Sequence, residues 1–152
     1  MGKIKYIFPL FFLLLSSLGF AQQTYFLVDG IQYRTINDTD CEITRRVDGI
    51  AYSEPTIIIP FTVNYDDVDY NVVAIGDSAF YNATTSTIEL HTAIASIGSY
   101  AFNGCSKLIS DIVIPNGVTE INEGTFGGCS SLTSITLSEN LKTIGGCAFY
   151  GC

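Results

Sequence analysis

Five cysteines, one histidine and two short carboxylate clusters are the residues of this chain whose types could carry covalent, metal or acid–base chemistry. The cysteines are Cys41, Cys105, Cys129, Cys147 and Cys152. No C-x-x-C pair occurs among them, so a redox dithiol or zinc site lacks its usual spacing. An odd count leaves at least one thiol free or intermolecular in an exported chain. Cys147 and Cys152 lie five apart, a separation that permits a bridge. His91 is the single imidazole, and no G-x-S-x-G elbow supplies it with a nucleophile. Its expected place is a solvated strand end. Asp66, Asp67 and Asp69 lack the regular oxygen ligands and turn glycine of a calcium loop. They read as a solvated hairpin tip. Asn37-Asp-Thr39 and Asn82-Ala-Thr84 match the glycosylation sequon. No metal and no cofactor are expected.

Charge narrows the function further. The 152 residues carry 15 acidic and 7 basic groups, net −8. That balance argues against a nucleic-acid partner, which needs a basic stripe to neutralise phosphates. With 47% hydrophobic and 14% charged residues, the chain is not of disordered composition.

Residues 1–21, MGKIKYIFPLFFLLLSSLGFA, have the build of a secretory signal peptide. Lys3 and Lys5 precede an apolar run from Tyr6 to Leu15, and Gly19 and Ala21 suit cleavage before Gln22. A membrane span needs about 20 apolar residues, and Pro9, Ser16 and Ser17 interrupt this run. No later segment could span a membrane. The mature chain is then 131 residues, with five basic against fifteen acidic groups, net −10. The expected location is outside the cytoplasm or on the cell surface, where disulfides are permitted.

The elements that must position the chemistry repeat themselves. Four segments align: IGDSAFYNA (75–83), IGSYAFNGC (97–105), INEGTFGGC (121–129) and IGGCAFYGC (144–152). Phe80, Phe102, Phe126 and Phe149 are spaced by 22, 24 and 23 residues. A short alternating strand follows each Cys slot: Ile88 and Leu90, then Ile112 and Ile114, then Ile135 and Leu137. Alternation marks a half-buried strand. Gly76, Gly98, Asn122 and Gly145 follow the slot isoleucines, and this column is expected to mark a left-handed turn. The Phe and Cys slots are large and small apolar plugs, so Cys105, Cys129 and Cys152 should stack as buried small hydrophobes. One repeat of about 23 residues cannot bury its own apolar face, and stacked repeats bury one another.

The pattern I-G-x-x-A-F-x-G-C-x-x-L-x-x-I-x-I-P resembles the BspA-like leucine-rich repeats of bacterial and some protist surface proteins. It covers about residues 55–152. Ala83, Ser86 and Ser138 depart from it. The resemblance implies a mostly β, leucine-rich-repeat-type solenoid with short helical turns, exported and used in adhesion or protein binding.

Residues 22–71 lack the repeat and read as a β-rich N-terminal cap, with the repeats over 72–152. Tyr25–Val28, Asp29-Gly30 and Ile31–Ile36 make a hairpin signal. Asp48-Gly49 signals a second turn, between a strand near Cys41–Val47 and another at Ile50–Tyr52. Thr56–Pro60 has the register of a first rung. Phe61 to Val73 reads as a hairpin closed by Asp66-Asp67. A cap protects an edge that would otherwise recruit other chains. The sequence stops after a Phe-x-x-Cys unit and before its strand, which reads as a truncated array or a natural end protected by dimerisation.

Outward strand positions then align in columns: Thr56, Thr87, Asp111, Ser134; Ile58, Glu89, Val113, Thr136; and Pro60, His91, Pro115, Ser138. From these, Thr87, Glu89, His91, Asp111, Val113, Ser134 and Thr136 are the candidate binding residues, because solenoids engage partners along such ladders. Tyr81, Tyr100 and Tyr150 form an alternative ridge. Glu120 and Glu123 lie on a rung without a cleft, whereas a glycosidase pair faces across one at about 5–9.5 Å. No catalytic residue is assigned. The expected function is a non-enzymatic module holding an extracellular protein, with glycan binding or a structural spacer as alternatives.

Overall fold

A computed structural model describes residues 23–109 and 111–152. The expected signal peptide and its cleavage point after Ala21 lie outside the described residues. Twelve short strands and no helix occur among the described residues.

The N-terminal strands follow turn chemistry. β1 (Tyr25–Val28) and β2 (Ile31–Thr35) pair antiparallel around Asp29 and Gly30, at φ 49° and 82°. Two successive positive φ values define the hairpin turn whose twist matches the strands. β3 (Asp40–Ile43) pairs antiparallel with β2. Asn37 makes the connection by accepting from the backbone N–H of Thr39 at 2.8 Å and Asp40 at 2.9 Å. After β4 (Thr56–Ile58), β5 (Thr62–Tyr65) and β6 (Val68–Ile75) form the second hairpin, with Asp66 and Asp67 at φ 53° and 63°. β3 pairs parallel with β6, giving the order β1-β2-β3-β6-β5. Phe26 fills the inner face of this sheet. Its ring lies 5.4 Å from Tyr33, 4.5 Å from Tyr65 and 5.6 Å from Tyr70.

The Asp48-Gly49 turn forms, with Gly49 N–H donating to Arg46 C=O at 3.0 Å. The strands expected beside it do not extend that far. β3 ends at Ile43, and Ile50–Tyr52 is not a strand. Two competing demands explain this. The outer edge of β3 is taken by β6. Tyr52 turns inward, where its ring packs 5.0 Å from Phe80. Its hydroxyl donates to Thr44 C=O at 2.9 Å and accepts from Gln32 N–H at 3.0 Å.

The repeats build two parallel ladders and a turn face. β4, β7 (Thr87–Glu89), β9 (Ile112–Val113) and β11 (Ile135–Thr136) supply the first ladder. It divides into the pairs β4–β7 and β9–β11, at the link carrying the extra residue. Within the expected first-rung segment, β4 pairs parallel with β7 in register Thr56↔Thr87 and Ile58↔Glu89. The end of β6, β8 (Ser96–Ile97), β10 (Glu120–Ile121) and β12 (Thr143–Ile144) supply the second. β3 adds to this ladder from the N-terminal side, with Ile43 opposite Ile75 and Ile75 opposite Ile97.

Between the ladders the phenylalanines stack. Phe80–Phe102, Phe102–Phe126 and Phe126–Phe149 have centroids 5.4, 5.1 and 5.5 Å apart and planes within 5°. The expected short helical turns are i→i+3 turns, such as Ala83 N–H to Phe80 C=O at 2.9 Å. They do not propagate as helix because intervening N–H groups donate to the next rung: Phe80 to Ala101 C=O at 2.7 Å, Phe102 to Thr125 at 2.8 Å and Phe126 to Ala148 at 2.8 Å.

The left-handed turn is not at the expected glycine column. Gly76, Gly98, Asn122 and Gly145 all lack positive φ. Left-handed residues sit two positions later, at Ser78, Tyr100, Gly124 and Cys147, and six later, at Asn82, Gly104, Gly128 and Gly151. The glycine column answers a different need, close approach of neighbouring rungs. A Cβ on Gly98 would lie 2.6 Å from Asp77 N, and one on Gly145 would lie 2.6 Å from Glu123 N. Asn122 occupies the same slot with a side chain that donates to Ile97 C=O at 2.7 Å.

Candidate binding surface

Six of the seven candidate ladder residues share one face. Asp111 and Ser134 adjoin, with the Ser134 hydroxyl donating to the Asp111 carboxylate. Val113 and Thr136 are partners in register. Thr87 is half-buried, and Glu89, Asp111, Val113, Ser134 and Thr136 are exposed. The face mixes acids with exposed aliphatics: Ile58 and Val113 are 65% and 57% exposed. Ile57, Ile88, Ile112 and Ile114 point the other way into the core. The alternation of a strand thus separates the two sets.

His91 is the exception and corrects the expectation of a solvated residue. It is only 8% exposed, under the Phe61 ring at 4.2 Å. Most of the third column leaves the surface with it, since Pro115 and Ser138 are buried and Pro60 is half-buried. The chain turns inward at the end of each strand, so period-two alternation stops there. Nδ1 of His91 accepts from Ala93 N–H at 3.2 Å, and buried Nε2 has no hydrogen-bond partner. Desolvation lowers its pKa below 6.5, against a smaller opposing pull from the Pro60 and Val72 backbone. Protonation must place a proton on Nδ1, which faces an N–H donor. Because the folded pKa is depressed, the unfolded chain binds the proton more readily. Stability is expected to be full above about pH 6.5 and to fall as pH drops below it toward the folded pKa. Urea titrations across that window check this. His91→Asn should remove the pH-dependent component, and an unchanged slope would disprove the assignment.

The cysteine slot behaves as a packing column with one added contact. Cys105 Sγ donates to Phe80 C=O at 3.1 Å, Cys129 to Phe102 C=O at 3.2 Å and Cys152 to Phe126 C=O at 3.1 Å. A hydrogen bond with Cys105, then burial, holds the Cys129 thiol far above its ordinary pKa. Burial pushes Cys41 up to about 12. Such thiols remain protonated donors and poor nucleophiles. Cys152 departs from the expected burial and is exposed, although its sulfur keeps the slot contact. All five cysteines are free. Leu137, expected inward, is likewise 42% exposed, because no described rung stacks over it.

The remaining polar residues have local duties. Asp69 accepts from Asn64 Nδ2 at 2.7 Å. Glu123 accepts from the Tyr100 hydroxyl, which raises the pKa of that phenol. Tyr81 lies under the Arg45 guanidinium at 5.2 Å, and Tyr150 is 77% exposed. No group of His, Cys, Asp and Glu among the described residues could hold a metal ion. No helix among the described residues is long and apolar enough to cross a membrane.

Stacked parallel rungs with an aromatic ladder and two short strands per turn define a leucine-rich-repeat-type β-solenoid. Residues 62–152 match the model of the BspA type leucine rich repeat region in six copies. The chain belongs to that family. It is similar to a leucine-rich repeat protein from Bacteroides ovatus, with 32% identity and a TM-score of 0.65, over 90% of this chain and 33% of that one. A leucine-rich repeat protein from Bacteroides capillosus matches at 26% identity and a TM-score of 0.68, over 79% and 86% of the two chains. A leucine rich cell surface protein from Faecalibacterium prausnitzii matches at 21% identity and 0.53, over 86% and 47%, a likeness of fold. A search of the curated proteins found no match. The chain spans a third of the length of the B. ovatus protein.

Proposed function

We propose that this protein is an exported, non-enzymatic binding module that holds an extracellular protein on its first ladder. The observation carrying this reading is the exposed, in-register face that sets Ile58 and Val113 among Glu89, Asp111, Ser134 and Thr136. Apolar contact surface ringed by charges suits protein partners. Residues 1–21 would act as a removable signal, 22–71 as the cap and 72–152 as the repeats. Surface location is supported by the cell-surface description of the F. prausnitzii protein. Adhesion is the biological role this reading gives the module.

Binding of the mature chain to a panel of extracellular-matrix proteins tests the proposal. Reversing charge with Glu89→Lys and Asp111→Lys together is expected to weaken a specific signal by at least about tenfold, or 1.4 kcal/mol. Neither residue is buried, so the fold should persist. An unchanged signal would sink this placement and direct attention to the Tyr81, Tyr100 and Tyr150 ridge.

A further inference from the structure

A separate cleft lies on the second ladder. Where the cap meets the repeats, a cleft of about 430 Å³ opens between Tyr25, Arg34, Glu42 and Arg45 on one side and Asp77, Ser96 and Asn122 on the other. The floor is backbone, at Ile75-Gly76 and Ile97-Gly98. Rung stacking explains the bare floor, because a Cβ at Gly76 would lie 2.9 Å from Ile43 O and one at Gly98 2.4 Å from Asp77 Oδ1. The repeat itself therefore keeps the trough open across several strands.

The walls hold opposite charges in balance. Arg34 pairs with Glu42, and the Arg34 guanidinium lies 6.0 Å from the Tyr25 ring centre. Arg34 Nε is buried and has no hydrogen-bond partner. Asp77 is fixed by Ser99 N–H at 2.8 Å, and Asn122 is fixed by its bond to Ile97 C=O. The Arg34–Glu42 pair, the braced Asp77 carboxylate and Arg45 thus bring both signs of charge to one cleft. An anion would meet Glu42 and Asp77, and a cation would meet Arg34 and Arg45. A ligand rich in hydroxyl groups suits both, since each hydroxyl donates to a carboxylate and accepts from a guanidinium. Tyr25, 48% exposed at the rim, offers a flat ring against which the apolar face of a sugar can rest.

We infer that this cleft is a binding site for a neutral saccharide chain, separate from the first ladder. The site stands independently of the preceding reading, because it uses the other ladder and other residues.

The test is an NMR titration of the isotope-labelled mature protein with neutral oligomers of glucose, galactose, mannose and N-acetylglucosamine, each to about 10 mM. The expected result is saturable shifts at Thr44, Asp77, Ser96 and Gly98 with at least one series. Ser96 is exposed on β8 and lines the cleft, so Ser96→Trp fills it without entering the core. That variant should weaken binding at least about tenfold, and Tyr25→Ala should weaken it too. The Glu89→Lys, Asp111→Lys pair should leave it unchanged, which separates failure here from failure of the ladder. Absence of shifts with every series overturns the inference. So does binding indifferent to Ser96→Trp in a protein whose spectrum shows it folded. Tighter occupation of the same resonances by acidic or basic peptides also overturns it.

Discussion

Phe102→Ala is expected to destabilise the protein by about 3–5 kcal/mol, the range for deleting a fully buried aromatic side chain. Phe102 has no exposed surface and stacks between Phe80 and Phe126, at 5.4 and 5.1 Å. Alanine removes both ring contacts and leaves a cavity that the neighbouring rungs cannot close. Their spacing is fixed by Phe80 N–H to Ala101 C=O and Phe102 N–H to Thr125 C=O. Such a loss in the middle of a stacked array also weakens coupling between its two sides. Urea denaturation followed by circular dichroism gives the magnitude, and a second transition or lower cooperativity would report uncoupling. Phe149→Ala is the comparison. That ring has one stacked partner and is half-buried, so its removal should cost clearly less. Equal losses at the two positions would refute the stacked column as the principal source of stability.

Gly98→Ala is expected to cost about 3 kcal/mol, the upper part of the range for overpacking. Added at Gly98, a methyl group would approach Asp77 Oδ1 at 2.4 Å, Asp77 N at 2.6 Å and Gly76 C at 2.8 Å. Two of these are backbone atoms, held by Gly98 N–H donating to Ile75 C=O at 2.8 Å. Separation of the rungs is the remaining relief, and it would stretch the ladder. Gly146→Ala is the control, because a Cβ there meets nothing within 4 Å and its φ is ordinary. That change should shift stability by no more than about 0.5 kcal/mol. The contrast separates close approach from backbone freedom, since neither glycine has positive φ. Similar thermal midpoints for the two variants would show that the rungs tolerate a side chain at their closest contact.

Much of this architecture was legible because a solenoid writes its packing into sequence many times. The recurring Phe, Cys and Ile slots named the core, and the stacked rings and buried isoleucines occupy it. Asp29-Gly30 and Asp66-Asp67 carried their own conformational preference, so both hairpins could be placed from local chemistry. The Asp48-Gly49 signal was equally local and misled beyond the turn itself. Its neighbours were claimed by contacts distant in sequence, β6 against β3 and Phe80 against Tyr52. The glycine column was visible while its cause was not. Ser78, Tyr100, Gly124 and Cys147 share a left-handed conformation without sharing a residue type, so composition gave no sign of it.

For the candidate surfaces the boundary falls in the same place. Six ladder residues followed from strand alternation, which is a property of neighbouring peptide units. His91 did not, because its burial depends on the path of the chain after the strand and on Phe61. The proposed saccharide cleft had no signature at all. Its parts come from the neighbouring N-terminal strands β1, β2 and β3 on one hand and from three separate rungs on the other, and those two sets are far apart in sequence.

By itself, then, the sequence determined the repeat, the identity of the interior and the face each strand presents, because these arise from short-range periodicity multiplied by stacking. The tertiary structure alone decided where β3 joins the second ladder, how closely the rungs approach and which side chains of β1–β3 lie beside them. Those are contacts between segments far apart in the chain, fixed only when backbone hydrogen bonds and side-chain volumes are satisfied together.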